Sequence, residues 1–269
     1  MSLVVLTGAS SGIGRAVAIE LADQGHHIVA AGRSPKRTES VVNQILTSGG
    51  SAEFLHLDLA SLESARTAAR TFEATGRTID VLVNNAGVGA TRGITEGGFE
   101  IHFGTNHLGH FMFTHHLRRT FRPGTRIVQV SSEVHRRAQG IEFDRVVAKS
   151  RTFYGLGEYA VSKLANVLFV REMSKRQPDW NVFAVHPGLT DTNIIPAIAR
   201  PFIRRRLLTP TQAADTVVWC ATSEDVSENS GLYYARRRSV TPSPQALDDA
   251  LATELWARSE RWCDVAPHN

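Results

Sequence analysis

The fold is decided by residues 3–14, which read Leu3-Val4-Val5-Leu6-Thr7-Gly8-Ala9-Ser10-Ser11-Gly12-Ile13-Gly14. An apolar run over 3–7 is typical of a short buried strand, and residues 12–24 then carry apolar side chains at helical spacing. The glycines follow a G-x-x-x-G-x-G spacing, which lets a backbone approach a pyrophosphate at a helix N-terminus. Such a loop is a weak signal alone, but a strand before it and a helix after it are the context that this fingerprint requires. The stretch therefore predicts a dinucleotide site formed by Gly8, Ser10, Ser11, Gly12, Ile13 and Gly14.

Strands and helices alternate along the rest of the chain. Further strands are predicted at 27–31, 52–57, 79–83, 126–130, 180–185 and 232–234, and further helices at 35–48, 64–75, 99–120, 155–177, 211–221 and 244–262. This alternation predicts the α/β class, with a single-domain Rossmann fold whose doubly wound parallel sheet of about seven strands carries helices on both faces. We expect one domain over residues 1–269, with a substrate loop at about 189–208 acting as a lid.

Composition narrows the class of protein. The chain has 269 residues, of which 42% are hydrophobic and 21% charged, and no apolar run approaches the roughly 18 residues of a membrane span. The first apolar run lacks a basic segment before it, so it is predicted to be a strand and not a signal peptide. Two cysteines, Cys220 and Cys263, cannot build a disulfide framework. We expect a cytoplasmic protein without a membrane span.

Charge and histidine patterns give little support for other partners. The chain has 30 Lys and Arg against 26 Asp and Glu, a net charge of +4. The basic clusters 204–206 and 236–238 could bind an anionic substrate, a carrier protein or nucleic acid, but we favour solvated surface for both. No zinc-finger spacing or RNA-binding signature predicts a nucleic-acid role. Among eleven histidines, His115 and His116 are adjacent and would face different ways on a helix. We predict no metal site.

The end of the second strand bears on the choice of dinucleotide. It reads Gly32-Arg33-Ser34, where a carboxylate would bind the 2′-hydroxyl of the adenosine ribose. No carboxylate is present. The Arg33 guanidinium matches a 2′-phosphate instead, with the Ser34 hydroxyl as a second donor. The sequence therefore predicts NADP over NAD, and the alternative is that Arg33 is only a charged loop residue.

Polar residues also follow the third, fourth and fifth strands. Open parallel sheets bind their ligands at the carboxyl ends of their strands. After the third strand, Asp58 could accept a hydrogen bond from the adenine amine or merely cap the next segment. Hydroxyls of Ser131 and Ser132 end the fifth strand. The cofactor residues predicted at this edge are Asp58, Leu59, Asn85, Ala86 and Gly87.

The chemistry is predicted to centre on Tyr159 and Lys163. Apolar residues around them recur at helical spacing, so the two side chains, four positions apart, share a helix face. A phenol titrates near ~10 in isolation, and an ammonium beside it favours the phenolate. We therefore expect the ammonium to lower the pKa of Tyr159, which would act as acid and base. The alternative is an amphipathic pair at a helix surface.

Taken in order, the motifs resemble those of the short-chain dehydrogenase/reductase family, and the resemblance covers nearly the whole chain. They are Thr7-Gly8-x-x-x-Gly12-x-Gly14, Asn84-Asn85-Ala86-Gly87, Asn106, Ser132, Tyr159-x-x-x-Lys163 and His186-Pro187-Gly188. Within the family, the chain is most similar to the retinol dehydrogenase-like branch. The stretches that carry this similarity are 106–111, 159–166 and 230–234.

The resemblance implies a catalytic set of Asn106, Ser132, Tyr159 and Lys163. In that set, Ser132 binds the substrate carbonyl, although Ser131 could replace it. Tyr159 donates the proton, Lys163 holds the ribose hydroxyls, and Asn106 anchors a water. By the same resemblance the dinucleotide also contacts Tyr159, Lys163, Pro187, Gly188, Leu189, Thr190 and Thr192.

These features predict an NADP(H)-dependent oxidoreductase that interconverts a carbonyl and an alcohol on a small, largely apolar substrate. One alternative is a dehydratase, epimerase or cyclase that uses the same tyrosine and lysine without net redox. Another is a dinucleotide-sensing regulator, which would not need Ser132 and Tyr159. The resemblance also implies a homo-oligomer, a dimer or tetramer packed through helices 101–120 and 155–177.

Overall fold

The chain folds around a twisted eight-stranded sheet. A computed structural model describes residues 1–189, 207–226 and 229–265. The strands are β1 (Leu3–Thr7), β2 (His27–Gly32), β3 (Ser51–His56), β4 (Val81–Asn84), β5 (Arg126–Val130), β6 (Asn181–His186), β7 (Tyr233–Ala235) and β8 (Arg238–Ser239). Their order is β3-β2-β1-β4-β5-β6-β7-β8, parallel throughout except for β8. The predicted doubly wound Rossmann fold is confirmed, with β8 as an additional edge strand.

Helices cover both faces of the sheet. They are α1 (Gly12–Asp23), α2 (Pro35–Thr47), α3 (Leu62–Glu73), α4 (Gly109–Leu117), α5 (Phe143–Val146), α6 (Leu156–Arg176), α7 (Pro210–Thr222) and α8 (Asp249–Trp262). In β1, Val5 packs toward α3, α4, α6 and α8, whereas Val4 and Leu6 pack toward α1, α2 and α7. Successive residues of a strand point to opposite faces of the sheet. Because helices bury both faces, every position needs an apolar side chain, and the strand is one continuous apolar run. Across the three described ranges, no helix combines the length and apolar content of a membrane span.

The crevice for a ligand opens between β1 and β4. The order of connections reverses at β1, so the chain leaves β1 and β4 toward opposite faces of the sheet. The two loops nevertheless touch at their start, where the Asn85 side-chain amide donates to Thr7 O over 2.9 Å. The glycine-rich loop and residues 84–87, which the sequence predicted to share a site, therefore border the same crevice.

The predicted helix at 99–120 is less regular than expected. Its segment Phe103–Leu108 is π-helical, α4 follows, and a 3₁₀ turn at Arg118–Thr120 ends it. In the π segment the N–H of Gly109 bonds to Gly104 O, five residues back. π turns are rare and concentrate at functional sites. The spacing of apolar residues did not predict this π-helical segment, because one extra residue in a turn leaves the apolar content of the helix unchanged.

The C-terminal helix is interrupted and packs against α4 and α6. A 3₁₀ turn at Pro244–Leu247 precedes α8, which begins after Asp248, whose carboxylate accepts from Leu251 N over 2.9 Å. Trp256 of α8 stacks on Phe169 of α6 at 5.8 Å and lies edge-on to Phe111 of α4 at 5.0 Å, between ring centroids. Trp256 therefore packs α8 against one side of α4 and of α6, the helices through which we predicted a second copy to pack, and that association stays a prediction.

The basic cluster 236–238 forms a tight hairpin. Arg236 and Arg237, with φ of 53° and 55°, make the two-residue turn between β7 and β8. Such turns favour Gly, Asn or Asp, so the sequence did not predict this one. The Arg237 guanidinium pairs with Asp215 of α7, with Nε donating to Oδ2 over 2.8 Å. This cluster is therefore partly neutralised. The other basic cluster, 204–206, lies outside the described residues.

Candidate active site

Glycines let the loops after β1 and β4 pack closely together at the predicted pyrophosphate site. Gly8 and Gly12 have φ of 72° and 54°, which favours glycine. A methyl group on Gly14 would lie 2.2 Å from Gly8 O and 2.5 Å from Asn85 Nδ2, closer than any real contact. At the start of α1, the Ser11 side chain makes no capping bond, and the first turn has no acidic residue. The open N–H groups of α1 therefore suit an anion, as the predicted dinucleotide requires.

Arg33 and Ser34 lie where the ribose of the adenosine half would reach. They follow β2, and Ser34 precedes α2 without using its side chain as a cap. Arg33 is exposed, and among the described residues its guanidinium has no ion-pair partner. Arg15, a second nearby cation, instead donates to Gln44 Oε1 of α2 over 2.6 Å. Of these two cations, Arg33 is the one left without a side-chain partner among the described residues, and its binding of a 2′-phosphate stays a prediction.

Asp58 is partly engaged in a local turn. Its carboxylate accepts from Ala60 N over 3.0 Å, and its own N–H donates to Ser64 Oγ over 3.0 Å. The capping role that we weighed against adenine binding is thus present. Leu59 is buried beneath the start of α4, where a methyl group on Gly109 would lie 2.3 Å from Leu59 O. Adenine binding by Asp58 and Leu59 stays a prediction.

Tyr159 and Lys163 lie together on α6, and both are buried, at 5% and 3% exposure. The Lys163 ammonium is 5.7 Å from the centroid of the Tyr159 ring and donates to Val130 O over 3.1 Å. The Ser132 hydroxyl is close enough to that of Tyr159 for a hydrogen-bonding interaction that lowers the pKa of the phenol. The Ser131 hydroxyl donates to Lys163 O over 2.8 Å and so holds α6 against β5. Between the two serines, the geometry favours Ser132 as the partner of a substrate carbonyl.

Burial dominates the acid–base properties of this pair. It raises the pKa of the Tyr159 phenol well above its usual value, while the hydrogen bond with Ser132 acts in the opposite direction. It also lowers the pKa of the Lys163 ammonium to about 8. Our expectation that the ammonium would lower the pKa of Tyr159 is therefore wrong in direction, because the desolvation of the phenol outweighs the nearby charge. The phenol is protonated at neutral pH and is poised to donate.

Asn106 of the π segment fixes the loop after β4. Its Oδ1 accepts from Val88 N over 2.8 Å, and its Nδ2 donates to Val88 O over 3.1 Å and to Ser162 Oγ over 3.0 Å. A methyl group on Gly87 would lie 3.1 Å from Asn106 Oδ1 and 3.7 Å from Lys163 Nζ. The loop, Asn106 and the lysine are therefore immediate neighbours, as the resemblance implied.

The loop after β6 begins at the same edge of the sheet. Pro187 is buried, and Gly188 has a φ of 98°. A methyl group on Gly188 would lie 2.4 Å from Leu208 Cδ1, and Leu208 N donates to Leu189 O over 2.7 Å. The two ends of the predicted lid at 189–208 are thus in contact. The predicted cofactor residues Thr190 and Thr192 lie outside the described residues.

The sequence did not predict a buried pair beside Tyr159. The His102 Nδ1 lies 2.8 Å from Glu100 Oε1, and the His102 ring meets the Tyr159 ring edge-on with centroids 5.9 Å apart. Glu100 also accepts from the N–H groups of His102 and Phe103 over 2.8 and 2.9 Å, and from the Ser150 hydroxyl. Ser150 is fifty positions away in the chain, so no local pattern could reveal this arrangement.

Comparisons with known proteins identify chains of similar sequence and similar fold. A family model described as short chain dehydrogenase matches residues 2–200. Human retinol dehydrogenase 13 is 36% identical over 277 residues, covering 96% of this chain and 83% of that protein. The crystal structure of an uncharacterised protein from Mycobacterium paratuberculosis gives a TM-score of 0.83 at 31% identity, covering 98% of this chain and 94% of the other. An angucycline C-6 ketoreductase with bound NADP gives a TM-score of 0.68 at 25% identity, covering 86% and 92%.

Proposed function

The chain belongs to the short-chain dehydrogenase/reductase family, in its retinol dehydrogenase-like branch, and from that premise we propose that it is an NADP(H)-dependent reductase of apolar ketones or aldehydes. As a member of this family it is an oxidoreductase that interconverts carbonyl and alcohol groups with a nicotinamide dinucleotide. The observation that carries the finer proposal is the buried, protonated Tyr159 phenol, which lies beside the Lys163 ammonium and close enough to the Ser132 hydroxyl for that group to lower its pKa.

Each residue of the set has a role that its contacts support. The Ser132 hydroxyl donates to the substrate carbonyl oxygen and polarises it, and the Tyr159 phenol transfers its proton to the same oxygen. The Lys163 ammonium is held by Val130 O and remains able to donate to ribose hydroxyls. The bound dinucleotide supplies the hydride. The chain therefore contributes position and a proton, and alcohol oxidation follows the same path in reverse.

Cofactor preference rests on Arg33. We expect Arg33→Asp to lower the ratio of kcat/KM for NADPH over NADH by roughly 10²-fold, because the change removes a charged donor and adds a charge that repels the phosphate. Steady-state kinetics with each cofactor measure this ratio. Arg119→Asp is the matched control, because it makes the same charge change at an exposed arginine far from β2. An unchanged ratio in Arg33→Asp would remove the basis for NADP.

The pH dependence should report Lys163. Its lowered pKa of about 8 means that the ammonium is present below this pH and is lost above it. We expect kcat/KM for NADPH to be level near neutrality and to fall roughly tenfold per pH unit well above the pKa, because this parameter reports the free enzyme. A profile of kcat/KM against pH checks this expectation. If the parameter stayed constant up to pH values near the ordinary lysine pKa of ~10.4, Lys163 would not carry the proposed role.

The alternative without net redox uses the same residues. The two functions are therefore distinguished by the amount of NADPH consumed for each molecule of product. With a panel of apolar ketones and aldehydes at saturating NADPH, we expect the near-ultraviolet absorbance of NADPH to fall in step with alcohol formation. A dehydratase, epimerase or cyclase would give product without consumption of NADPH. A sensing regulator would give neither product nor NADPH consumption, and it would not need Ser132 and Tyr159.

The apolar substrate class is supported by the segment that leads to Tyr159. Phe153 and Tyr154 expose 72% and 41% of their surface just before α6, and Leu189 exposes 43% at the start of the lid.

A cytoplasmic location is supported by Cys220 and Cys263, which are both free and buried. Association into a dimer or tetramer through helices 101–120 and 155–177 also stays a proposal.

A further inference from the structure

His110 of α4 joins the dinucleotide crevice to Asn106. Its side chain is buried at 1% exposure and contacts one partner with each ring nitrogen. Nδ1 lies 3.0 Å from the backbone oxygen of Asn106, and Nε2 lies 2.9 Å from the hydroxyl oxygen of Thr7 at the end of β1. No role was assigned to this histidine by the motifs or by the proposed mechanism.

The partners of His110 fix where its proton lies. The Asn106 carbonyl can only accept, so Nδ1 must carry the proton and donate. In the neutral ring, Nε2 then has a lone pair and accepts the proton of the Thr7 hydroxyl. Burial, chiefly, lowers the pKa of His110 to about 4, with the Lys163 charge acting in the same direction. The ring is thus neutral at ordinary pH, as this arrangement requires.

The Thr7 hydroxyl is oriented by this contact. Its oxygen accepts from Asn85 N over 2.9 Å and from Ala86 N over 3.0 Å. A hydroxyl has two acceptor sites and one proton, so it can serve both N–H groups fully only if its proton points elsewhere. The His110 Nε2 takes that proton at 2.9 Å, whereas the other acceptor within reach, Val83 O, is 3.5 Å away. His110 therefore helps to hold the loop after β4 against β1.

The opposite side of the ring reaches the catalytic region. Asn106 lies in the π segment, and its side chain bonds to Val88 and to Ser162 of α6. The Ser162 hydroxyl in turn donates to Tyr159 O over 2.8 Å. One continuous set of hydrogen bonds thus runs from the loops that border the dinucleotide crevice, through His110, to the turn of α6 that carries Tyr159.

We propose that His110 is a positioning residue whose two ring nitrogens act separately, Nε2 setting the loops that bind the dinucleotide through Thr7 and Nδ1 setting Asn106 beside Lys163. The role of Nδ1 beside the catalytic residues rests on the proposed function. The role of Nε2 in the dinucleotide loops can be tested by NADPH binding alone. Neither half requires His110 to touch substrate or to exchange a proton during turnover.

Two substitutions separate the nitrogens. In His110→Asn the amide nitrogen can occupy the place of Nδ1, so the contact with Asn106 is retained and that with Thr7 is lost. In His110→Gln the longer amide reaches the place of Nε2, so the contact with Thr7 is retained and that with Asn106 is lost. We expect the Kd for NADPH to rise roughly tenfold in His110→Asn with kcat little changed, and kcat to fall roughly tenfold in His110→Gln with the Kd little changed.

His107 supplies the matched control. It lies in the π segment at 2% exposure, and its Nε2 contacts Ser259 of α8 at 3.0 Å instead of the site. His107→Asn and His107→Gln should lower the free energy of unfolding without separating Kd from kcat. A merely structural His110 would behave in the same way, so equal effects of its two variants on both parameters would overturn the proposal.

Thr7→Val tests the same contact without changing His110, so it keeps the test decisive if the His110 variants fold poorly. It removes the hydroxyl at nearly constant shape, together with the acceptor of Asn85 N and Ala86 N, and should raise the Kd for NADPH at least as much as His110→Asn does. Where His110→Asn does fold, adding it to Thr7→Val should raise the Kd no further, because the partner of Nε2 is already absent. Additive effects would contradict the coupling. The Kd is measured by fluorescence titration, so a native protein that binds NADPH but reduces no carbonyl would refute the proposed function and still leave this test in force.

Discussion

Replacing Tyr159 with phenylalanine is expected to lower kcat by roughly 10²–10⁴-fold, the range attributed to a positioned acid or base. The phenol is buried, protonated and close to the Ser132 hydroxyl, so it is the group in place to protonate a carbonyl oxygen as hydride arrives. Tyr159→Phe removes only that hydroxyl, and the ring still packs against His102. We therefore expect NADPH affinity and the free energy of unfolding to change little. Steady-state kinetics and fluorescence titration measure the two parameters separately.

Tyr234 provides the control for this substitution. It is buried on β7 against Phe183 and Trp219, on the side of the sheet opposite α6. Tyr234→Phe deletes the same hydroxyl from a buried ring and should leave kcat within twofold of the native value. Should Tyr159→Phe also retain kcat within about tenfold of the native value, the phenol would not be the proton donor.

Glu100→Ala is expected to lower the free energy of unfolding by about 3–5 kcal/mol, a large effect for one substitution. The carboxylate accepts from two backbone N–H groups at the start of the helix, from His102 and from Ser150, all of them buried. Alanine would leave these donors without an acceptor, and each buried unpaired donor costs about 1–3 kcal/mol. Urea denaturation followed by circular dichroism measures the change.

Two further variants show whether the buried contacts are responsible. Glu100→Gln keeps the shape and one acceptor oxygen, so its loss should be smaller than that of alanine. Glu254→Ala removes an exposed carboxylate of α8 that pairs with Arg258 four residues on, and it should change stability by less than about 0.5 kcal/mol. A Glu100→Ala protein within about 1 kcal/mol of the native one would mean that the donors find other partners.

The sequence predicted the strands well, for a clear reason. Each central strand is buried on both faces, so its apolar run has sharp ends, and β5 lies where we predicted it, at 126–130. The predicted strands were wrong where contacts between distant parts of the chain determine the ends or the presence of a strand. The fourth strand, predicted at 79–83, is observed at Val81–Asn84, and β8 depends on a turn of two arginines that carries none of the usual turn residues.

The motifs predicted where the candidate site lies, but they did not predict the pKa values or the buried contacts of its residues. The glycine loop, Asn106, Ser132 and the pair on α6 do come together. The pKa direction of Tyr159 was wrong, because spacing shows which charge is near but not how much water burial removes. Contacts of Glu100 and His110 join residues fifty and more than one hundred positions apart, so no local pattern contains them.

Transfer of deuteride tests the central claim most directly. The protein is incubated with an apolar ketone and NADPH deuterated at the transferred position of its nicotinamide ring, and the product is analysed by mass spectrometry. We predict an alcohol that carries one deuterium at the former carbonyl carbon, formed in equal amount to the NADP produced and nearly absent with Tyr159→Phe. Product without deuterium, or product formed while NADPH is not consumed, would contradict the account.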